Sequence, residues 1–236
     1  MNKMQIQLFG NDDYFAQEAY KVFRSNIQFC GQDVRVIALT SNNENEGKTT
    51  ISLNLGKQIA DLGLRVLVID ADMRKSVLAG RNTDAKNPKG LSEVLSGMAT
   101  LEDCLYETQY ENFFLLFAGK YPPNPVELLN SKAYEALIER VRGEYDYVII
   151  DTPPIGLVID AAVVAKTCDG IVLVFGENVK FRQARNSIEQ LKRSNTKILG
   201  VVRNQTGGEN RGRYYKGKYK YRYKYEYGAR PSGSKK

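Results

Sequence analysis

The sequence predicts an α/β doubly wound fold with a mostly parallel sheet, on three observations. Five short runs are apolar almost throughout: VRVIALT (34–40), RVLVIDAD (65–72), YDYVIIDTPP (145–154), GIVLVF (170–175) and KILGVVRN (197–204). Continuous rather than alternating apolarity marks strands buried on both faces, as in a parallel sheet covered by helices. Between these runs lie stretches of helical periodicity, and that alternation builds βα units. The chain, at 236 residues, is also long enough to bury such a sheet on both sides.

In chain order, NDDYFAQEAYKVFRSNIQF (11–29) reads as a helix or helix pair, with Asn11 or Asp12 as its cap. After the first strand, KTTISLNLGKQIADLG opens a helix that Gly63 is placed to stop. SKAYEALIERVRGEY (131–145) is amphipathic, with Ala133, Leu137, Ile138 and Val141 on one side. FRQARNSIEQLKRSN (181–195) is a further helix leading into the last strand. There are no internal repeats. Residues 1–207 read as one folded domain, with 1–31 as an N-terminal helical segment and 208–236 as a tail.

The tail differs in kind from the body. The whole chain carries a net charge of +7, but residues 209–236 hold ten Lys or Arg against two acids, which leaves the first 208 residues at −1. Beyond Gly207 the only aliphatic residue is Ala229, so the segment is expected to be disordered in isolation. It carries seven tyrosines, Tyr214, Tyr215, Tyr219, Tyr221, Tyr223, Tyr225 and Tyr227, the last five at every second position between Lys220, Arg222, Lys224 and Glu226. The three cysteines, Cys30, Cys104 and Cys168, form no CxxC pair, which favours free thiols in a reducing compartment over a disulfide frame or zinc site. The absence of histidine removes the commonest general base and metal ligand. No run approaches the ~20 apolar residues of a membrane span, and the N-terminus lacks a signal-peptide core. The expected location is cytoplasmic.

Phosphate chemistry enters at TSNNENEGKTT (40–50). A strand, a polar loop and GKT opening a helix form the P-loop arrangement. Backbone N–H groups reach the phosphates, a lysine reaches the β/γ oxygens and a hydroxyl binds Mg²⁺. Gly47, Lys48 and Thr49 fit those roles, with Glu46 and Thr50 beside them as further nucleotide contacts. The pattern GxxxxGK[ST] asks for glycine at 42, where this chain has Asn42. Asn45 also stands where related loops often have glycine, and asparagine tolerates positive φ. Two more strands end in acids: Asp70-Ala71-Asp72-Met73-Arg74 and Asp151-Thr152-Pro153-Pro154. Carboxyl ends of parallel strands are where such sheets bind ligands. A lone acid there is more often a cap or turn former, but GKT, DAD and DTPP on three strand ends point to ATP and Mg²⁺. Asp151 would hold the metal, Asp72 would help, and Asp70 would orient a nucleophile or take its proton.

Taken together, SNNENEGKTT, VLVIDADMRK and VIIDTPP resemble the Walker A, Walker A′ and Walker B motifs of the bacterial tyrosine kinases, in the form encoded apart from its transmembrane adaptor. KYPPNPVELLNS (120–131) is similar to the family's PPNPxELL stretch. EAYKVFRSNI resembles its ExxRxxR oligomerisation motif at Glu18, Lys21 and Arg24, with Lys21 departing from the first arginine. The resemblance implies a P-loop fold and a non-specific protein-tyrosine kinase. Lys48, Asp70, Asp72 and Asp151 would be catalytic, with Asp70 activating the phenol. Glu46, Gly47, Lys48, Thr49, Thr50, Arg74 and Asn204 would bind nucleotide, and Thr49, Asp72 and Asp151 would bind metal. Asn204 reads equally as an adenine contact or a strand-end turn residue. The tail tyrosines become an autophosphorylation cluster, reached in trans within a ring. The implied partners are a membrane adaptor of the polysaccharide co-polymerase type, a homo-oligomer, a cognate tyrosine phosphatase and other protein substrates. No nucleic acid is expected. The implied setting is capsule or exopolysaccharide export at the inner face of the cell membrane.

The rival is an ATPase switch of the ParA/MinD type, whose basic tail would bind nucleic acid or membrane. Such loops usually carry a lysine five positions before the P-loop lysine, and here that position is Asn43.

Overall fold

The computed structural model describes residues 2–10, 13–83 and 87–204. Asn11, Asp12, the seven tail tyrosines and the tail's expected disorder lie outside the described residues. Eight described strands form one sheet: β1 (Asn2–Met4), β2 (Val36–Ser41), β3 (Val66–Asp70), β4 (Leu105–Thr108), β5 (Phe113–Leu116), β6 (Tyr147–Asp151), β7 (Gly170–Phe175) and β8 (Ile198–Arg203). Their order is β1-β4-β5-β3-β6-β2-β7-β8. Every pairing is parallel except β4 with β5.

The five expected strands occupy the centre and one side. The interior residues of β2, β3, β6 and β7 are buried on both faces, as the continuous apolar runs require, whereas β8 lies at the sheet edge and is only partly covered, with Val201 exposed. Alternate residues feed two cores. Ile37, Leu39, Val68 and Ile149 pack beneath α1 (Tyr14–Phe29) and α2 (Lys48–Ala60). The short helices α3 (Leu78–Asn82), α4 (Leu91–Leu95), α5 (Leu101–Cys104) and α6 (Pro125–Leu129) come next along the chain, and Ala38, Leu67, Val148 and Ile150 face α7 (Lys132–Glu144) and α8 (Asp160–Ala165). From β2 the chain moves to β3 on one side and later to β7 on the other, with β6 between β2 and β3. The strand order therefore reverses at β2, and the carboxyl ends of β3, β6 and β2 lie side by side there.

Several details differ from expectation. The N-terminal segment is one helix, and its cap is Asp13, whose carboxylate accepts from the Phe15 N–H at 2.9 Å. On α7 the buried stripe is Tyr134, Leu137, Ile138 and Val141, while Ala133 is exposed. The Ser131 hydroxyl accepts the Tyr134 N–H at 3.2 Å and sets that phase, and the tyrosine ring fills volume an alanine could not. Gly63 ends α2 as expected, at φ +81, donating its N–H to the Ala60 carbonyl at 2.8 Å. β1, β4 and β5 were not anticipated. β5 is a short apolar run, FFLL, and is fully buried. β1 and β4 are at one edge, partly exposed, and carry no such run. No helix among the described residues is long and apolar enough to cross a membrane.

Candidate active site

The loop between β2 and α2 is held by its own side chains. Glu46 accepts from the Asn42 and Asn43 N–H groups at 2.8 and 3.0 Å and from the Asn43 amide at 3.1 Å. Its carboxylate is thus turned into the loop, leaving its backbone as its route to a phosphate. Asn42 is buried, and its side-chain oxygen accepts from the Ser187 hydroxyl at 2.8 Å. That tie to α9 (Phe181–Lys192) occupies the side chain where a glycine was expected. Asn45 has φ +61, the left-handed region in which glycine is at home and asparagine is tolerated. Gly47 follows at φ +88 as the N-cap of α2. The Asn204 amide donates to the Glu46 carbonyl at 3.0 Å, so the end of β8 supports the loop from below.

From α2, Lys48 projects toward two carboxylates. Its Nζ stands 3.4 Å from Asp72 Oδ2 and 3.7 Å from Asp151 Oδ1. The next residue, Thr49, donates its hydroxyl to Asp151 Oδ2 at 2.5 Å. Asp151 Oδ1 is buried and has no hydrogen-bond partner among the described residues. Register places Asp70 opposite Asp151 on neighbouring strands. Asp70 accepts from the Ser76 hydroxyl at 2.5 Å and from the Asp72 N–H at 3.0 Å. Asp72 accepts in turn from the Lys75 N–H at 3.0 Å, which closes a tight turn after β3.

Three carboxylates and one ammonium share this buried space, and their titration reflects it. Burial, then the neighbouring Asp151 charge, pushes Asp70 up to about 7. Burial also raises Asp151, against the opposing pull of Lys48 and Thr49. Burial draws the Lys48 ammonium down, but Asp151, Asp72 and Asp70 outweigh it and hold the lysine charged. The cluster is short of positive charge, and a cation would correct that. Among the described residues no three acidic or thiol side chains alone form a metal cage. Mg²⁺ does not need one: it binds through one or two carboxylates, with phosphate oxygens and water completing the shell. Asp151 Oδ1, which accepts no hydrogen bond among the described residues, and the hard oxygen donors of Thr49 and Asp72 fit that ion.

A cleft opens above this cluster, lined in part by Gly47, Lys48, Thr49, Thr50, Asp72 and Arg74. Asp70 and Asp151 are each 1% exposed and lie beneath the surface. Arg74 pairs with Asp160, and Lys75 pairs with Glu44 across the cleft at 2.6 Å. Ser76 and Asp160 escaped the sequence reading. Each is a single polar residue within a few positions of a motif, and no spacing rule points to it. On α1, Glu18 and Lys21 pair on the exposed face at 2.7 Å. Arg24 instead turns inward, donating to the Gln58 carbonyl of α2 at 3.0 Å.

Residues 34–199 match a family model described as an AAA domain. The chain is 42% identical over 190 residues to the tyrosine-protein kinase CpsD of Streptococcus agalactiae, covering 80% of this chain and 83% of that one. It is 36% identical to the tyrosine-protein kinase YwqD of Bacillus subtilis, covering 79% and 80% of the two chains. Among solved structures, the chimerical protein CapA2B2 superposes with a TM-score of 0.78 at 32% identity, over 86% of this chain and 93% of that one. The septum site-determining protein MinD of Pyrococcus horikoshii, complexed with Mg-ADP, superposes at 0.60 and 29% identity, over 73% and 71%.

Proposed function

The chain belongs to the bacterial tyrosine-protein kinases, and on that premise we propose that it transfers the γ-phosphoryl group of ATP to tyrosines of its own C-terminal cluster. The observation that carries the proposal is the convergence of Lys48, Thr49, Asp70, Asp72 and Asp151 at three adjacent strand ends. In the transfer, the phenol oxygen bonds to the γ-phosphorus as the bond to the β–γ bridging oxygen breaks, and ADP keeps that electron pair. Asp70 receives the phenol's proton; burial places its affinity for protons near neutrality, where a general base works best. Gly47 and the N–H groups opening α2 cradle the phosphates, and Lys48 contacts the β and γ oxygens. Thr49, Asp151 and Asp72 would hold Mg²⁺, which when bound neutralises charge building on the phosphate oxygens. Arg74 and Thr50 complete the nucleotide contacts, and Asn204 acts by supporting the loop.

Transfer is proposed to run in trans, between neighbours of a ring formed through α1. A transmembrane adaptor would recruit the kinase to the inner face of the cell membrane and activate it, with capsule or exopolysaccharide export as the regulated process. A tyrosine phosphatase would reset the tail. Each phosphate adds about −1.5 to −2. About four or five would therefore cancel the tail's +8 and weaken its attraction to an acidic site.

The test is to incubate the protein with Mg-ATP and weigh it, beside Lys48→Met and a chain ending at 208. Several single-phosphate additions are expected, confined to the tail and absent from Lys48→Met. ATP consumption without tail modification, even with an adaptor peptide present, would defeat the reading; stimulation by DNA or lipid would then favour a MinD-like switch. Phosphate on the tail of Lys48→Met mixed with an intact, tail-less partner supports transfer in trans, and its absence counts against it.

A further inference from the structure

Asp160 belongs to none of the motifs above, yet its side chain is only 1% exposed. Among the described residues, both of its side-chain hydrogen bonds come from one residue. Arg74 Nε donates to Oδ2 at 2.8 Å, and Nη2 donates to Oδ1 at 3.2 Å. This is the fork-on-fork geometry that a guanidinium makes with a carboxylate and that lysine cannot reproduce.

The pair joins two loops. Arg74 follows Asp70 and Asp72 in the turn after β3. Asp160 opens α8, after the β6 strand that ends in Asp151. Arg74 also lines the cleft beside Lys48, Thr49 and Asp72, with a third of its side chain (33%) exposed there. Asp160 takes one edge of the guanidinium. The Nη1 edge has no protein partner among the described residues.

A stability role is a weak account of this arrangement. Removing two charges from water costs about as much as their attraction returns, and apolar residues of the same volume would serve as well. What the pair does achieve is to fix the plane of a permanent cation at the rim of a phosphate site. Donors fixed in advance are worth most where negative charge builds up during reaction. In phosphoryl transfer that charge lies on the oxygens of the migrating group.

We infer that Asp160 is a positioning residue: it holds Arg74 so that the free edge of the guanidinium contacts the oxygens of the transferred phosphoryl group. The inference rests on the kinase reading. It gives Arg74, beyond its contact with bound nucleotide, a stronger contact made in the transition state, and it gives Asp160 no contact with substrate.

The experiment measures initial rates of tail phosphorylation by the full-length chain across a range of ATP concentrations. Asp160→Asn keeps the shape and removes the charge; its kcat should fall by about 10- to 100-fold while KM for ATP stays within about threefold. Arg74→Lys should behave alike. The double variant Arg74→Lys/Asp160→Asn should be no worse than the poorer single by more than about threefold, because both changes break one unit. In Arg74→Ala, added guanidinium at low millimolar concentration should restore part of the rate, and adding Asp160→Asn should abolish that rescue. If Arg74→Ala fails to fold, the Lys and Asn variants still decide. Asp160→Asn turning over within about twofold of the unmodified chain would overturn the inference, as would losses that multiply in the double variant. An unmodified chain that places no phosphate on tyrosine even with the adaptor peptide present would instead overturn the kinase reading, and this inference with it.

Discussion

Two lysine–carboxylate pairs, one in the cleft and one on α1, show how little distance alone says about an ion pair. Lys21 and Glu18 approach to 2.7 Å, closer than Lys48 and Asp72 at 3.4 Å. The α1 pair has about half of each side chain in water (52% and 43% exposed), whereas the cleft pair is nearly dry (11% and 8%). Water screens the first and compensates its loss, so an exposed pair of this kind contributes little to stability. In the cleft no solvent substitutes for a missing partner, so each charge depends on its neighbours. The α1 charges are free to meet another molecule. Those of the cleft are committed to one another.

The sharpest way to break this contrast is at Lys48. Lys48→Met should reduce tail phosphorylation by about 10³-fold or more, read by intact mass, because a fixed cation is lost where charge develops. Lys21→Met should leave the intrinsic rate within about twofold under conditions where assembly is saturated, since screened surface charge contributes little. Asp70→Asn comes next: transfer should drop by about 10²- to 10⁴-fold with the loss of the base. Its effect on stability runs the other way. Folded Asp70 keeps its proton to about pH 7, while the unfolded chain releases it near the ordinary 3.8. Between those values the unfolded state binds fewer protons, so the metal-free protein loses stability as pH rises through that window. Asp70→Asn removes that loss, and its Tm advantage over the parent should widen from pH 4 to pH 8; a constant difference would contradict the buried-charge account.

Packing beneath the cleft gives an intermediate effect. A Cβ on Gly56 would lie 2.9 Å from both Phe113 and Val68, so Gly56→Ala should cost about 1–3 kcal/mol in denaturant unfolding. The smallest effect belongs to the α1 pair. Glu18→Ala/Lys21→Ala should leave the denaturant midpoint nearly unchanged while lowering the oligomer fraction in sedimentation. A clear drop in the midpoint, without a change in assembly, would mean that this helix face serves the fold rather than an interface. Val22 and Phe29, 60% and 85% exposed on the same helix, make the assembly result the informative one.

Much of the central fold was legible because burial on both faces leaves continuous apolar runs, and β2, β3, β6 and β7 follow those runs closely; β8 was found from the run KILGVVRN although it sits half-covered at the edge. The edge was less legible. β1 and β4 bury little and alternate weakly, so nothing in NKM or LYET distinguishes a strand from a loop. The phase of α7 escaped for a similar reason: alanine and tyrosine both suit a helix, and the Ser131 cap together with core volume chose between them. At the site, the spacing of GKT, DAD and DTPP named Lys48, Thr49, Asp70, Asp72 and Asp151. It did not name Ser76, the donor to Asp70, or Asp160, the partner of Arg74 86 positions away.

Residue chemistry and local spacing determined by themselves that this chain builds a parallel α/β sheet, places a P-loop after one strand and acids after two others, and carries a cationic tyrosine-rich tail. These are properties of a residue and its near neighbours, read through periodicity and loop chemistry. Only the tertiary structure decided which charges share a dry space. The reversal of strand order sets Asp70 opposite Asp151, brings Lys48 between Asp72 and Asp151, and closes Asp160 onto Arg74. Burial and proximity across long separations are collective results of packing, and they push the Asp70 carboxyl up to about 7 and leave Asp151 Oδ1 with no hydrogen-bond partner among the described residues.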